Sequence, residues 1–320
     1  MTCYLSPMLG AVIDVGTNSV KLLVADFSGN KIKPLLEESK QTRLGRGFYQ
    51  THLLQPSAIE KTTEAVAHFA QIAKKQGATF IRVIATSAAR DAKNPDDLIN
   101  AIEKKSTLRV EIISGEQEAD WVFRGVITNP ELAQHPLLIL DVGGGSSEFI
   151  LGEKGHQYFR RSFKIGTVRL LEQFPHSDPP TDAELAHCHQ WLKKFLKKEI
   201  APDLEPALAS CCDEKIQLVG TGGTATILAR IQKQLDDFDR EQIEATLLTR
   251  AEIHTLAQRL WSLPLAQRKE IIGLPKKRAD VILAGAVIYE AVVEQFGFSE
   301  LRISTRGLRY AALMEKTAKL

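Results

Sequence analysis

Leu137-Leu-Ile-Leu-Asp-Val-Gly-Gly-Gly-Ser-Ser-Glu-Phe-Ile-Leu-Gly152 decides the fold. Four apolar residues lead into Asp141; three glycines and two serines follow, then Glu148 and a second apolar run. The pattern predicts a buried strand, a tight phosphate-sized turn and a second strand returning beside the first. Glycine lets the backbone approach a ligand closely, and consecutive N–H groups in such a turn form a concave anion nest. Asp141 and Glu148 flank the turn and can hold magnesium, which takes oxygen ligands and keeps several waters. Glu148 also reads as a strand residue facing solvent, between Ser147 and Phe149.

The same device occurs earlier, in Leu9-Gly-Ala-Val-Ile-Asp-Val-Gly-Thr-Asn-Ser-Val-Lys-Leu-Leu-Val-Ala-Asp26. Asp14 and Asp141 lie 127 residues apart (141 − 14), and Gly16 with Gly143 and Ser19 with Ser146 keep that offset. Self-similarity of this kind predicts two copies of one unit. One such turn is a common hairpin; two, each following an apolar strand that ends in Asp, are a specific signal.

The chain has 320 residues, a soft prior for about two domains. A net charge of +2 is too small to draw in nucleic acid or a membrane surface by bulk attraction, so any anion site must be built locally. The four cysteines show no Cys-x-x-Cys spacing, which argues against zinc and a disulfide framework and fits a reducing cytoplasm. The N-terminal apolar run has no basic segment before it, and no run reaches the ~20 apolar residues of a membrane span. A cytoplasmic protein with no nucleic-acid or membrane partner is expected.

Along the chain, strands are predicted at 9–13, 20–27 and 31–36, with Ser28-Gly29-Asn30 as a hairpin turn. Arg43-Leu-Gly-Arg-Gly47 is a basic loop whose arginines serve either solubility or substrate contact. Pro56 opens a helix to Gln76, with Gly77 just past its end. After a strand at 81–85, Thr86-Ser-Ala-Ala-Arg90 starts the next helix with Ser87 as N-cap. Ser114-Gly-Glu-Gln117 matches a capping box after a strand at 110–113. Strands at 137–141, 147–152 and 156–163 repeat the first three. A short helix begins at Gly166, and Thr181-Asp-Ala-Glu184 caps a long one whose lysines 193, 194, 197 and 198 read as a solvated face. Gly220-Thr-Gly-Gly-Thr224 is a third glycine-rich turn opening a helix; Gly222 and Gly223 serve either ligand approach or helix–strand packing. Residues 276–296 form a long, mostly apolar stretch, 301–304 a last strand and 307–319 a closing helix. The class is α/β with two similar lobes, 1–129 and 130–320, leaving open that the closing helix packs back on the first.

Asp14-Val-Gly-Thr-Asn-Ser19, Ile113-Ser-Gly-Glu-Gln-Glu-Ala119, Asp141-Val-Gly-Gly-Gly-Ser146, Gly220-Thr-Gly-Gly-Thr224 and Arg306-Gly-Leu-Arg309 occur in the order seen in the exopolyphosphatase and guanosine pentaphosphate phosphohydrolase family. The resemblance runs from Gly10 to about Leu313 and is to the short, two-domain type. It implies two ribonuclease H-like, actin-like ATPase lobes, each a mixed sheet flanked by helices, with the active site in the cleft between them. It implies hydrolysis of a terminal phosphoanhydride, of polyphosphate or guanosine pentaphosphate, with Mg2+ or Mn2+. Glu118 takes the place of the family's catalytic base. Asp14, Thr17, Asn18 and Ser19 take that of the first phosphate-binding turn. Asp141 and Glu148 match the metal ligands. Gly143, Gly144, Gly145 and Ser146 match the second turn, with Gly222, Gly223 and Thr224 as further substrate contacts. Arg90 is placed to meet phosphate. The chain departs from the family in having Thr305 where an aspartate is common and Tyr310-Ala311 where a Glu-Gly pair is, which leaves the last motif without an assigned role.

The chemistry suits these residue types. A phosphoanhydride repels an attacking water, so the enzyme must screen charge and place the water in line. Backbone nests and magnesium screen; Glu118, in the first turn of a helix, places. Alone, Glu118 would be an ordinary first-turn helix glutamate. The alternatives are a small-molecule kinase of the same superfold, which also uses paired Asp-Gly turns, and a non-catalytic nucleotide-binding or actin-like module. A homodimer is compatible with the sequence, which does not set the oligomeric state.

Overall fold

β1 (Met8–Val15) is buried on both faces from Gly10 onward, as its unbroken apolar run requires of a central strand. A computed structural model describes residues 8–28, 31–211 and 215–317. Gly29 and Asn30 of the expected hairpin turn, and Cys3 and Cys212, lie outside them. The chain divides into two units: Met1–Thr128 with Arg306–Leu320, and Asn129–Thr305.

In the N-terminal unit β1 pairs antiparallel with β2 (Ser19–Ser28), and β2 antiparallel with β3 (Lys31–Gln41). On its other side β1 runs parallel to β4 (Phe80–Ala85), and β4 to β5 (Val110–Ile112). The order is β3-β2-β1-β4-β5. β3 is an edge strand, and from Lys31 to Leu36 its residues alternate between exposed and half-buried, as one-faced burial dictates. The helix Pro56–Lys75 packs on β1 and β2, as does the closing helix Leu308–Thr317.

In the C-terminal unit β6 (Leu137–Val142), β7 (Ser147–Glu153) and β8 (His156–Phe163) form the same antiparallel meander. β6 then runs parallel to β9 (Gln217–Thr221), and β9 to β11 (Glu300–Ile303). A short β10 (Leu247–Thr249) adds an antiparallel edge, giving the order β10-β11-β9-β6-β7-β8. Without β10, the two sheets share one connectivity. The duplication read from the two turns therefore extends through each sheet.

Three sequence expectations are corrected. Ser87 is the first residue of a single helical turn, Ser87–Arg90, and Thr86 is its N-cap without a side-chain bond; a separate helix, Pro95–Ser106, follows. Ser114 caps Gly115–Val126 by accepting from the Gln117 N–H at 3.1 Å, without the reciprocal bond from Gln117. The stretch 276–296 is a short 3-10 turn, Lys276–Arg278, and then the helix Ile282–Gln295. Thr181 and Glu184 do form a reciprocal capping box.

The divergent motif near the end is an anchor. Thr305 hydrogen-bonds Glu244 and Arg240 in the C-terminal unit. In the N-terminal unit Arg306 donates to the Thr128 carbonyl (2.8 Å), and Arg309 to the Leu22 carbonyl and Glu37 (both 2.8 Å). Arg82 reaches the Ala312 carbonyl (3.0 Å), and the Trp121 indole N–H donates to Glu315. These bonds fix the closing helix to the first sheet. Trp121 and Phe123 are buried in the core.

Candidate active site

Ligands of open α/β sheets bind beyond the carboxyl ends of the strands, and in each unit the chemistry-bearing residues collect there. In the N-terminal unit β1 delivers Asp14 and the Gly16–Ser19 turn, β3 the loop 42–47, β4 the turn Thr86–Arg90, and β5 the start of helix Gly115–Val126. The turn is closed by Gly16 N–H donating to the Ser19 carbonyl at 3.0 Å. Thr17 O accepts from Gly45 N–H (2.7 Å), and Asn18 O from Thr42 (3.1 Å) and Arg43 (2.9 Å). The basic loop carrying Arg43 and Arg46 is thereby locked against the turn.

Asp14, Thr17, Asn18 and Ser19 are all buried, yet Asp14 Oδ1, Thr17 Oγ1, Asn18 Nδ2 and Ser19 Oγ find no hydrogen-bond partner. Thr42 Oγ1 and Ser87 Oγ are in the same condition. Buried polar atoms left unsatisfied cost about 1–3 kcal/mol each, and a cluster of them points to a ligand that completes their bonds. Thr42 and Ser87 are candidates that sequence reading did not single out for the site; Ser87 is read there as a cap. A usable signal existed for Thr42, since a threonine also follows the third strand of the second repeat, at Thr167, and its buried hydroxyl is equally unpartnered.

Glu118 lies in the first turn of its helix, 8% exposed, and Arg90 Nη1 donates to it at 2.8 Å and to the Ile113 carbonyl at 3.1 Å. The parallel pairing of β4 with β5 brings these two residues together across 28 positions of sequence. Burial pushes the Asp14 carboxyl above the usual carboxylate range, while Lys21 and Arg309 pull it down. A carboxyl with a raised native pKa favours folding only while protonated in both states. Its charge therefore costs stability once pH rises through the native pKa. Asp14→Asn is expected to melt above the wild type at neutral pH, with the gap closing as pH falls below about 4, and to lose activity. Melting temperatures of both proteins across that range test this.

The C-terminal unit repeats the turn with glycines. Gly143 N–H donates to the Ser146 carbonyl at 3.0 Å, the bond made by Gly16 and Ser19. The carbonyls of Gly143, Gly144 and Gly145 are taken by Thr167 N–H (3.0 Å), Val168 and Arg169 N–H (2.8 and 3.1 Å) and Arg169 Nε (2.8 Å). With the carbonyls tied to this helix start, the Gly144 and Gly145 N–H groups turn away from it. Gly166 must be glycine, because a Cβ there would sit 2.6 Å from Gly144 and Gly145 backbone.

Asp141 and Glu148 are cross-strand partners and share a face. Glu148 is 2% exposed, so it is not the solvent-facing strand residue its sequence also allowed, and Ser162 Oγ donates to it at 2.7 Å. Two carboxylates set side by side, one of them buried, are a donor set for a hard divalent cation. The third turn adjoins them. Gly222, at φ +79°, lies against Asp141, and Thr224 Oγ1 donates to the Val142 carbonyl at 2.8 Å. Thr224 is thus committed to backbone. Tyr289 OH donates to the Leu140 carbonyl at 3.0 Å, and burial beside Asp141 holds its phenol well above the usual range.

Two meander-led α/β units, each ending its first strand in an Asp-Gly turn built to receive an anion, define a phosphate-handling protein of the actin-like ATPase fold. The chain belongs to the Ppx/GppA phosphatase family, whose model matches residues 23–320. It is 33% identical over 311 residues to exopolyphosphatase 2 of Mycobacterium tuberculosis, covering 92% of this chain and 94% of that protein. Among solved structures it resembles an exopolyphosphatase from Cytophaga hutchinsonii, with a TM-score of 0.86 at 28% identity over 98% of this chain and 99% of that one. The Ppx/GppA family member of Aquifex aeolicus matches with a TM-score of 0.78 at 29% identity, over 98% and 99%. No helix among the described residues is long and apolar enough to cross a membrane.

Proposed function

We propose that this chain is an exopolyphosphatase that releases terminal orthophosphate from inorganic polyphosphate, with guanosine pentaphosphate as a second candidate substrate. The observation that carries the reading is Glu118, buried at a helix start and held by Arg90 at the carboxyl edge of a sheet that also bears unsatisfied phosphate-sized donors. The names of the relatives support the substrate class.

In this mechanism Thr17, Asn18 and Ser19 donate to substrate phosphate oxygens, as do the Gly144 and Gly145 N–H groups. Asp141 and Glu148 would hold Mg2+ or Mn2+, which screens phosphate charge when bound. Arg90 holds the Glu118 carboxylate in one orientation. Glu118 takes a proton from water as the water oxygen bonds to the terminal phosphorus. The bridging P–O bond breaks, and its electron pair leaves on the shortened chain. Arg90, Arg43 and Arg46 add positive charge for the anionic substrate.

The test is orthophosphate release from long-chain polyphosphate, guanosine pentaphosphate and ATP, each with magnesium and with EDTA. Magnesium-dependent release, fastest from polyphosphate, is expected. Tight ATP binding with phosphate passed to an added acceptor, and none to water, would overturn the hydrolase in favour of a kinase.

A further inference from the structure

The carbonyls of the two Asp-Gly turns are held from outside at matched positions. At the offset of 127 residues (144 − 17 and 145 − 18), Thr17 corresponds to Gly144 and Asn18 to Gly145. The first pair is held by backbone in both turns. Thr17 O accepts from Gly45 N–H at 2.7 Å, and Gly144 O from Val168 and Arg169 N–H at 2.8 and 3.1 Å. The second pair differs. Asn18 O accepts from two backbone donors, Thr42 and Arg43 N–H, at 3.1 and 2.9 Å. Gly145 O is held by a side chain, Arg169 Nε, at 2.8 Å.

A trans peptide unit is planar, so its N–H points opposite to its C=O. The Gly145 carbonyl shares its plane with the Ser146 N–H. Fixing that oxygen toward residues 167–169 therefore aims the Ser146 hydrogen to the other side of the turn, where the Gly144 and Gly145 N–H groups already point. The Ser146 N–H does not close the turn, since the Gly143 carbonyl accepts from Thr167 N–H at 3.0 Å instead. Glycine tolerates both orientations of the peptide plane that follows it. A flipped plane at Gly145 would present an oxygen, not a hydrogen, to an anion. The bond to the Gly145 carbonyl thus sets the sign of the partial charge there. The rest of the support is independent of the Arg169 side chain: Ser147 Oγ donates to the Ile165 carbonyl at 2.8 Å, and backbone N–H groups hold Gly143 and Gly144. We propose that Arg169 is a positioning residue of the C-terminal turn: by holding the Gly145 carbonyl it aims the Ser146 N–H into the anion nest as a third donor. The proposal rests on the reading of this turn as a phosphate site.

Two variants separate the bond from the charge. Glutamine carries an N–H donor at the side-chain position of the arginine Nε, without the charge, and methionine carries a methyl group there. In steady-state phosphate release by the full chain, Arg169→Met is expected to lower kcat/KM about 10–100-fold, and Arg169→Gln to restore most of it. Nuclear magnetic resonance reads the peptide itself. Orthophosphate, which hydrolysis cannot consume, is titrated with Mg2+ present into chain labelled with nitrogen-15 at glycine and serine; Ser146→Ala assigns the Ser146 amide. That amide is expected to shift downfield in the wild type and in Arg169→Gln, and to stay in place in Arg169→Met. Arg169 is only half-buried, so both variants should fold, and melting curves verify it. A Ser146 amide that moves in folded Arg169→Met as it does in the wild type overturns the proposal. Equal loss of kcat/KM in the two variants also overturns it and assigns Arg169 an effect of its charge. If the Gly144 and Gly145 amides respond in the wild type and Ser146 does not, the proposal fails while the phosphate turn stands. If none of the three responds, the phosphate reading of the turn fails as well.

Discussion

Glu118→Gln is expected to lower kcat for phosphate release by about 10²–10⁴-fold, the usual contribution of a general base. Glutamine keeps the side chain's size and one oxygen acceptor, and the helix start stays capped by Ser114. What disappears is the group that can take the proton of the attacking water. Arg90 loses one charged partner but keeps Asp91 at 4.0 Å and the Ile113 carbonyl at 3.1 Å, and its side chain is 21% exposed, so water can complete its shell. The stability cost should stay near 1 kcal/mol, below the several that breaking a fully buried pair exacts, and so a few degrees in Tm. KM should not rise, because the Arg90 guanidinium keeps its charge and still attracts anionic substrate. Steady-state kinetics beside a melting curve decide the matter. A variant within fivefold of wild-type kcat removes Glu118 from the proton transfer. Activity lost in proportion to unfolded protein would instead mark the Glu118–Arg90 pair as a packing element.

The hairpins were legible because their signal is local: an apolar run, an aspartate and small residues that only a tight turn explains, repeated at one offset. The contacts that build the site are not local. Arg90 and Glu118 meet because β4 and β5 lie in parallel, a pairing that no spacing along the chain announces. The burial of Glu148 was equally hidden, since a strand between two others reads from its own residues like a surface strand until its neighbours are known. Thr86 and Ser87 are both good cap formers, and the backbone chose the first, leaving Ser87 with an unpartnered hydroxyl. The helix expected to start at Thr86–Arg90 is a single turn, and Asn94-Pro95 marks the fresh start of the next one, with Pro95 in its first turn. Sequence thus named most of the groups and the turns that carry them. The buried hydroxyls and the ion pair needed the sheet order.

The third glycine turn makes the sharpest structural demand. Gly222→Ala is expected to lower kcat by at least about 10²-fold, the penalty of moving a reacting group by an ångström. Two effects combine at this position. The backbone sits at φ +79°, which costs an L side chain about 1–2 kcal/mol. An added Cβ would overlap Asp141 Oδ1 and must drive the carboxylate from its place opposite Glu148. The strand itself should hold, because Thr224 bonds the Val142 carbonyl and Tyr289 the Leu140 carbonyl on either side of Asp141. Gly297→Ala separates the two effects: its φ is +71° and nothing lies within 4 Å of an added Cβ. Both variants should lose similar stability in thermal melts, and only Gly222→Ala should lose activity and Mn2+ binding. If Gly222→Ala remains active while melting like Gly297→Ala, Asp141 has no part in the reaction, and the carboxylate pair is a structural feature of the sheet.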